Sequence, residues 1–330
     1  MEAVALLLPG QGAQHGGMAV ELYGGEPLFA EVMDALFGQL GEEGARLRAL
    51  WLSGESGAAL DEGSVAQPLL FAIGYAVGRC LEGYGIRPVA YLGHSVGELA
   101  AAALAGVFGA DGAAAVMAAR ARAMGALPAG GMLAVAAAPD RLAEFTDPLD
   151  RADGVVVGAH NAALNSVLAG PEPRLTEVGL ALREAGIAWR PVPARQPFHS
   201  PAARPAAEVF RRELAGLPLR APHTPVWSTR TGRPVRAAEA VDPGFWAGQL
   251  AAPVLFREAL DALLGSEPLT VVDSGPSQSS ALFARRHPVV RKGGSAVLPL
   301  MPAGGEGTLA HWREALERLG AARPAAEPIG

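Results

Sequence analysis

At 330 residues, half of them hydrophobic, the chain is long enough to bury a large core and to form one large domain with a smaller one. A net charge of −6, with Lys292 the only lysine, argues against a nucleic-acid partner. Cys80 is the only cysteine, which excludes disulfides and thiolate metal clusters within one chain.

Val4 to Leu8 reads as a buried strand, followed at once by the turn Pro9-Gly10-Gln11-Gly12-Ala13-Gln14. Two glycines suit a tight turn, but a turn alone does not call for two glutamines. Met1-Glu2 is an acidic start and the first apolar run ends at Pro9, so no secretory signal is visible. No apolar stretch approaches the ~20 residues needed to span a bilayer, and a free-standing cytoplasmic protein is expected. Helices are predicted near Leu28 to Leu40, Gln67 to Glu82 and Ala113 to Met124, with Pro27 and Pro68 where a first-turn proline is tolerated. Cys80, on the second of these, reads as a small buried hydrophobe.

Between the second and third helices lies the most informative stretch. Pro88 to Leu92 reads as a short buried strand and Leu99 to Leu104 as an alanine-rich helix, with Gly93-His94-Ser95-Val96-Gly97-Glu98 joining them. Gly-x-Ser-x-Gly in that context presents a serine hydroxyl on a strained strand-to-helix turn, which makes Ser95 a candidate nucleophile. Side chains at Gly93 or Gly97 would collide as helix and strand close around the elbow. The positive end of the following helix points to where an acyl oxyanion would form.

After Gly130-Gly131 the rhythm changes: strand Met132 to Ala137, helix Pro139 to Phe145, strand Val155 to Ala159, strand Val167 to Ala169, helix Arg174 to Ala185, strand Ala188 to Val192. That βαββαβ order is ferredoxin-like. The expected fold class is α/β: a large α/β-hydrolase-like domain with a mainly parallel sheet, residues 1–128 and 194–320, plus an inserted ferredoxin-like subdomain, residues 129–193. The chain returns to the large domain at Gln196-Pro197-Phe198-His199-Ser200, a proline-bounded loop carrying a histidine, and a cleft between the two units is the natural active site. The tail, residues 321–330, reads as disordered.

The elbow, the Pro9-Gly10-Gln11-Gly12 turn, Arg120 and the His199 loop together resemble the malonyl-CoA:acyl carrier protein transacylase family, which includes the acyltransferases of polyketide synthases. The landmarks stand in family order across nearly the whole chain, with weaker late agreement at Gln249 to Phe256 and Asp273-Ser274-Gly275-Pro276. The resemblance implies transfer of an acyl group from CoA to the phosphopantetheine thiol of an acyl carrier protein, in polyketide or fatty acid biosynthesis, through an acyl-serine intermediate. Ser95 would attack, His199 would take its proton, and the backbone N–H groups of Gln11 and Val96 would hold the oxyanion. The elbow suggests the Val96 role independently. No aspartate stands in an obvious motif between Ser95 and His199, and the resemblance gives the histidine-orienting role to the backbone carbonyl of Gln249.

Arg120 would bind a carboxylated acyl group such as malonyl, since a guanidinium fork grips a carboxylate at two points. Arg122 is two positions away and cannot share its helix face, so at most one of the pair points into the cleft. Phe198 would fill the space that an α-methyl branch needs, which favours malonyl over methylmalonyl. Asn161, in a loop that loosely matches the family's Asn-containing substrate loop, is a further substrate-contact candidate. Arg195 and Gln196 depart from the family pattern, so an unusual or larger acyl group is an alternative. No metal or bound cofactor is expected; acyl-CoA is substrate, and the chain reads as a monomer. An acidic carrier protein would need a local basic patch, for which Arg285, Arg286, Arg291 and Lys292 are one candidate cluster, although a solvated charged face accounts for them better.

Three rival readings stay open: an α/β-hydrolase esterase or thioesterase using Asp242 with His287 or His311, an editing hydrolase acting on acyl carrier proteins with the same dyad, and a non-catalytic docking module.

Overall fold

A computed structural model describes residues 3–109 and 111–321. Among these residues there are ten strands: β1 Val4–Leu8, β2 Ala90–Gly93, β3 Gly130–Val135, β4 Val156–Ala162, β5 Asn165–Pro171, β6 Trp189–Pro191, β7 Val226–Ser228, β8 Arg233–Pro234, β9 Thr270–Asp273 and β10 Ala296–Pro299. Six of them form a sheet in the order β10-β9-β1-β2-β7-β8, parallel except at the terminal β7–β8 pair. Its central strands are buried on both faces, as a parallel sheet between helical layers requires, so the sequence reads as unbroken apolar runs. In the register of β1 against β2, Leu8 lies beside Gly93. Both strands therefore end together, and the Pro9–Gly12 turn, the Ser95 elbow and the Asp273–Pro276 turn share the carboxyl edge of the sheet, where α/β folds place their sites.

The second sheet is antiparallel throughout, in the order β4-β5-β3-β6, the ferredoxin-like arrangement. It covers its own core, in which Leu133, Val135, Leu142, Leu168, Val178 and Leu182 pack together apart from the main core. Pro139–Phe145 is a 3-10 helix and not an α-helix; Arg174–Glu184 is a full α-helix on this sheet. The carboxyl end of β4 is stitched to the large unit by Val254, whose N–H donates to the Gly158 carbonyl at 2.9 Å and whose carbonyl accepts from the His160 N–H at 2.9 Å.

Two expectations are corrected. The helix anticipated from Gln67 begins four residues earlier, spanning Gly63–Gly83, so Pro68 sits in its second turn, where it withholds a backbone bond from Ser64. This helix has 21 residues and is long and apolar enough to cross a membrane by length and composition, contrary to the expectation from apolar runs. Its apolar stretch is 83% buried inside the protein, where it packs against the helix Val96–Leu104 as core. The tail expected to be disordered lies, from residue 322 onward, outside the described residues.

Candidate active site

The elbow forms because two close approaches forbid side chains. A Cβ on Gly93 would lie 2.1 Å from the Gly97 carbonyl carbon, and a Cβ on Gly97 would lie 2.5 Å from the Leu8 carbonyl oxygen. Between them Ser95 takes φ 52° and ψ −115°, a left-handed strain for a residue with a side chain, and heads the helix Val96–Leu104. On the opposing loop, His199 is also in the left-handed region, at φ 62°. The two strained residues meet: Ser95 Oγ lies 2.7 Å from His199 Nε2.

The hydrogen bonds around His199 decide which nitrogen carries the proton. Nδ1 lies 3.1 Å from the Gln249 carbonyl and 3.1 Å from the Ala252 carbonyl. Carbonyl oxygens only accept, so Nδ1 carries the hydrogen and Nε2 presents its lone pair to the Ser95 hydroxyl. Burial, with the Arg120 charge and His94 adding to it, pushes the imidazole down to about 3, so the ring is neutral at physiological pH. Gln249 thus holds the histidine through its backbone, and Ala252 supplies a second acceptor.

Arg120 and Arg122 separate as their spacing demands. Arg122 is exposed and pairs with Glu213 at 2.8 Å, whereas Arg120 is 2% exposed. Arg120 Nε donates to Gln67 Oε1 at 2.7 Å, while Nη1 and Nη2 make longer contacts, 3.4 Å to Gln249 Oε1 and 3.5 Å to Ser95 Oγ. All three partners are neutral, and among the described residues no carboxylate lies within ion-pair distance of the guanidinium. Desolvation lowers its pKa to about 9 against the opposing pull of Glu98, so it remains a cation at neutral pH.

A cavity of about 190 Å³ opens in front of the dyad, lined by Gln11, Ser95, Met132, Asn161, Phe198 and His199 among others. Arg120 is packed behind Ser95 and Gln67, not in that lining. The buried Phe198 ring rests against Gly63, where a Cβ would meet Phe198 Cζ at 3.0 Å and Met124 Sδ at 3.1 Å. Asn161 Oδ1 accepts from His94 Nε2 at 2.8 Å and its amide nitrogen donates to Asn165 Oδ1 at 3.0 Å. Among the described residues, the backbone N–H groups of Gln11 and Val96 have no protein acceptor, and Val96 is the first residue of its helix.

Sequence reasoning gave Gln67 no role. It is buried, accepts from Arg120 and donates from Nε2 to Gln11 Oε1 at 2.9 Å, while the Gln11 amide in turn donates to the Asp61 carbonyl at 3.1 Å and the Pro193 carbonyl at 3.3 Å. A glutamine on an otherwise apolar helix is the signal that marks it. The second glutamine of the turn, Gln14, accepts from the Gly12 N–H at 2.7 Å and donates to Asp61 Oδ1 at 2.9 Å, bracing the loop. The hydrolase scheme has no counterpart here. Asp242 caps the helix Pro243–Gly248, His287 pairs with Asp261 at 2.8 Å, and His311 lies 3.1 Å from the Pro299 carbonyl.

Comparisons with known proteins give the family of the chain. Residues 6–301 match the model of the acyl transferase domain. A phenolphthiocerol/phthiocerol polyketide synthase of Mycobacterium tuberculosis is 38% identical over 288 residues, covering 87% of this chain and 19% of its own length. The chain therefore spans about a fifth of that curated relative. The acyl transferase domain of SpnD, solved in complex with 2-(pent-4-yn-1-yl)malonyl, superposes with a TM-score of 0.87 at 30% identity over 97% of this chain and 76% of that one. MCAT from Streptococcus pneumoniae, at 23% identity, shares the fold with a TM-score of 0.79 over 94% of this chain and 99% of its own. The chain belongs to the acyl transferase domain family.

Proposed function

We propose that this protein moves a carboxylated acyl group, malonyl in the first instance, from CoA to the phosphopantetheine thiol of an acyl carrier protein by way of an acyl-serine. Ser95 Oγ attacks the thioester carbonyl as its proton passes to His199 Nε2, and the Nδ1–H held by the Gln249 and Ala252 carbonyls keeps the ring aimed. Charge developing on the carbonyl oxygen is met by the N–H groups of Gln11 and Val96, the latter at a helix N-terminus. Collapse breaks the carbon–sulfur bond, and His199 returns the proton to the departing CoA thiolate. The carrier thiol then gives its proton to His199, attacks the acyl-serine and releases Ser95 as the hydroxyl, which makes the reaction ping-pong.

The choice of acyl group rests on Arg120. A buried cation with neutral partners carries a desolvation cost that a substrate carboxylate would offset, and the long contacts of Nη1 and Nη2 are the ones such a carboxylate would replace. Phe198, which lines the same cavity as Ser95, limits the room for an α-branch. The exposed Arg286 lines a second cleft, of about 260 Å³, that shares Asn161, Asn165 and Phe283 with the acyl cavity. With Arg285, Arg291 and Lys292 nearby in sequence and exposed, that rim suits an acidic carrier.

The observation that carries the proposal is the 2.7 Å contact between Ser95 Oγ and His199 Nε2, on a ring whose Nδ1 faces the Gln249 and Ala252 carbonyls. The test incubates the protein with a panel of acyl-CoAs, reads the intact mass, then adds carrier protein. Malonyl leaving the enzyme and reappearing on the carrier supports transfer. Release as free acid at the same rate with and without carrier would mean an editing hydrolase, and no adduct with any acyl-CoA would mean a docking module.

A further inference from the structure

Glu98 is 1% exposed and takes no part in the chemistry above. One helical turn after Ser95, its Oε2 accepts from both the backbone N–H and the hydroxyl of Thr229, at 2.8 and 2.6 Å. Thr229, fully buried, opens the turn between β7 and β8, and that turn grips the segment that orients His199 at both ends. At the far end the Thr229 carbonyl accepts from the Leu255 N–H at 2.6 Å. At the near end Arg230 Nη1 donates to the carbonyls of Phe245 at 2.6 Å and Gly244 at 3.2 Å. The Arg230 guanidinium fits there because residue 248 is glycine: a Cβ on Gly248 would stand 2.9 Å from Nη2. Between these anchors, the segment gives His199 three backbone acceptors: the carbonyls of Gln249 and Ala252 on Nδ1, and that of Leu250 on the backbone N–H at 2.8 Å.

The nucleophile and the cradle of its base are therefore joined by one continuous route, Ser95 helix to Glu98 to Thr229 to Leu255 to the carbonyls on His199. We propose that Glu98, acting through Thr229, is a positioning residue that fixes the distance and angle between Ser95 and His199. Burial alone would drive the carboxyl toward its neutral form, and the donors of Ser228, Thr229 and Gln249 oppose this. A buried acid that is costly to keep, placed where it clamps the turn that carries the cradle, fits a demand for geometry more than for stability.

The inference rests on the reading of Ser95 and His199 as nucleophile and base, and the experiment separates the two. Wild type, His199→Ala, Thr229→Val, Glu98→Ala and Glu98→Gln are each reacted with a fluorophosphonate that labels activated serines, and acylated with malonyl-CoA and acetyl-CoA, with melting temperature followed in parallel. Thr229→Val and Glu98→Ala should lower the labelling rate and the acylation rate with both esters about tenfold, the size of one lost hydrogen bond to a charged group, with KM unchanged. Glu98→Gln keeps an acceptor and should recover most of the rate. Wild-type rates in Thr229→Val and Glu98→Ala, whether or not they melt lower, overturn the inference. A loss confined to malonyl-CoA also overturns it, since that would mean Glu98 acts only through the charge of Arg120. A wild type no faster than His199→Ala would instead overturn the dyad itself.

Discussion

Lowering the pH tests the assignment of the His199 proton quantitatively. The ordinary imidazole pKa of 6.5 falls to about 3 in the folded protein, chiefly through burial. Between those values the unfolded chain binds a proton at this position that the folded chain does not, so the stability contributed by His199 is complete above 6.5 and falls as the pH drops below it. The slope is about 1.4 kcal/mol per pH unit. The buried Asp273 carboxyl, raised to about 6 by desolvation, has the opposite sign, its contribution being lost as pH rises through that value. Subtracting the unfolding free energies of a His199→Gln variant from those of wild type removes Asp273 and every other shared group. Urea titrations at several pH values should show that difference shifting against the wild type by about 1.4 kcal/mol for each unit below 6.5. In parallel, kcat/KM for acylation of Ser95 should stay flat well below 6.5, because the free enzyme keeps its base unprotonated. A pH-independent stability difference, or an acylation rate that falls with an apparent pKa near 6.5, would refute a desolvated, neutral His199.

Replacing His199 by Ala should lower acylation roughly 10²- to 10⁴-fold, whereas Gln249→Ala, which keeps the carbonyl that faces Nδ1, should cost far less; comparable losses in single-turnover rates would count against the backbone assignment. Arg120→Ala should reduce kcat/KM for malonyl-CoA by roughly 10- to 100-fold, the range for a lost charged hydrogen bond, and shift preference toward acetyl-CoA, read by competition between the two esters. Gly97→Ala should lower unfolding free energy by about 2–3 kcal/mol and abolish acylation, since its Cβ would press on the Leu8 carbonyl from 2.5 Å. Phe198→Ala should destabilise by about 3–5 kcal/mol and admit α-branched acyl-CoAs; unchanged discrimination against methylmalonyl-CoA would remove Phe198 as the barrier.

The elements that the sequence made legible are those with a strong local cause. The Gly93–Gly97 elbow, the apolar runs of β1 and β2 and the alternation of the inserted unit each follow from sterics or periodicity within a few residues. Pro68 misled because a proline marks a helix start only on average; packing of the largely apolar Gly63–Gly83 helix against the Val96–Leu104 helix carries it through the second turn. Pro139–Phe145 is too short for its apolar residues to distinguish an α-helix from a 3-10 turn.

At the site, side chains within motifs were readable and backbone groups were not. Ala252 contributes a carbonyl, which any residue at that position would offer, and Gln249 was reached only through family resemblance. Gln67 and Glu98 carried a detectable signal, a polar residue inside an apolar helix, but their partners Gln11, Arg120 and Thr229 lie far away in sequence and only the fold brings them together.

The most direct measurement maps the covalent adduct. After brief exposure to malonyl-CoA and acid quenching, peptide sequencing by mass should find malonyl on Ser95 of the wild type and none on Ser95→Ala, with formation slowed in His199→Ala. An adduct carried by another residue, or one formed equally fast without the imidazole, would contradict the dyad on which the account stands.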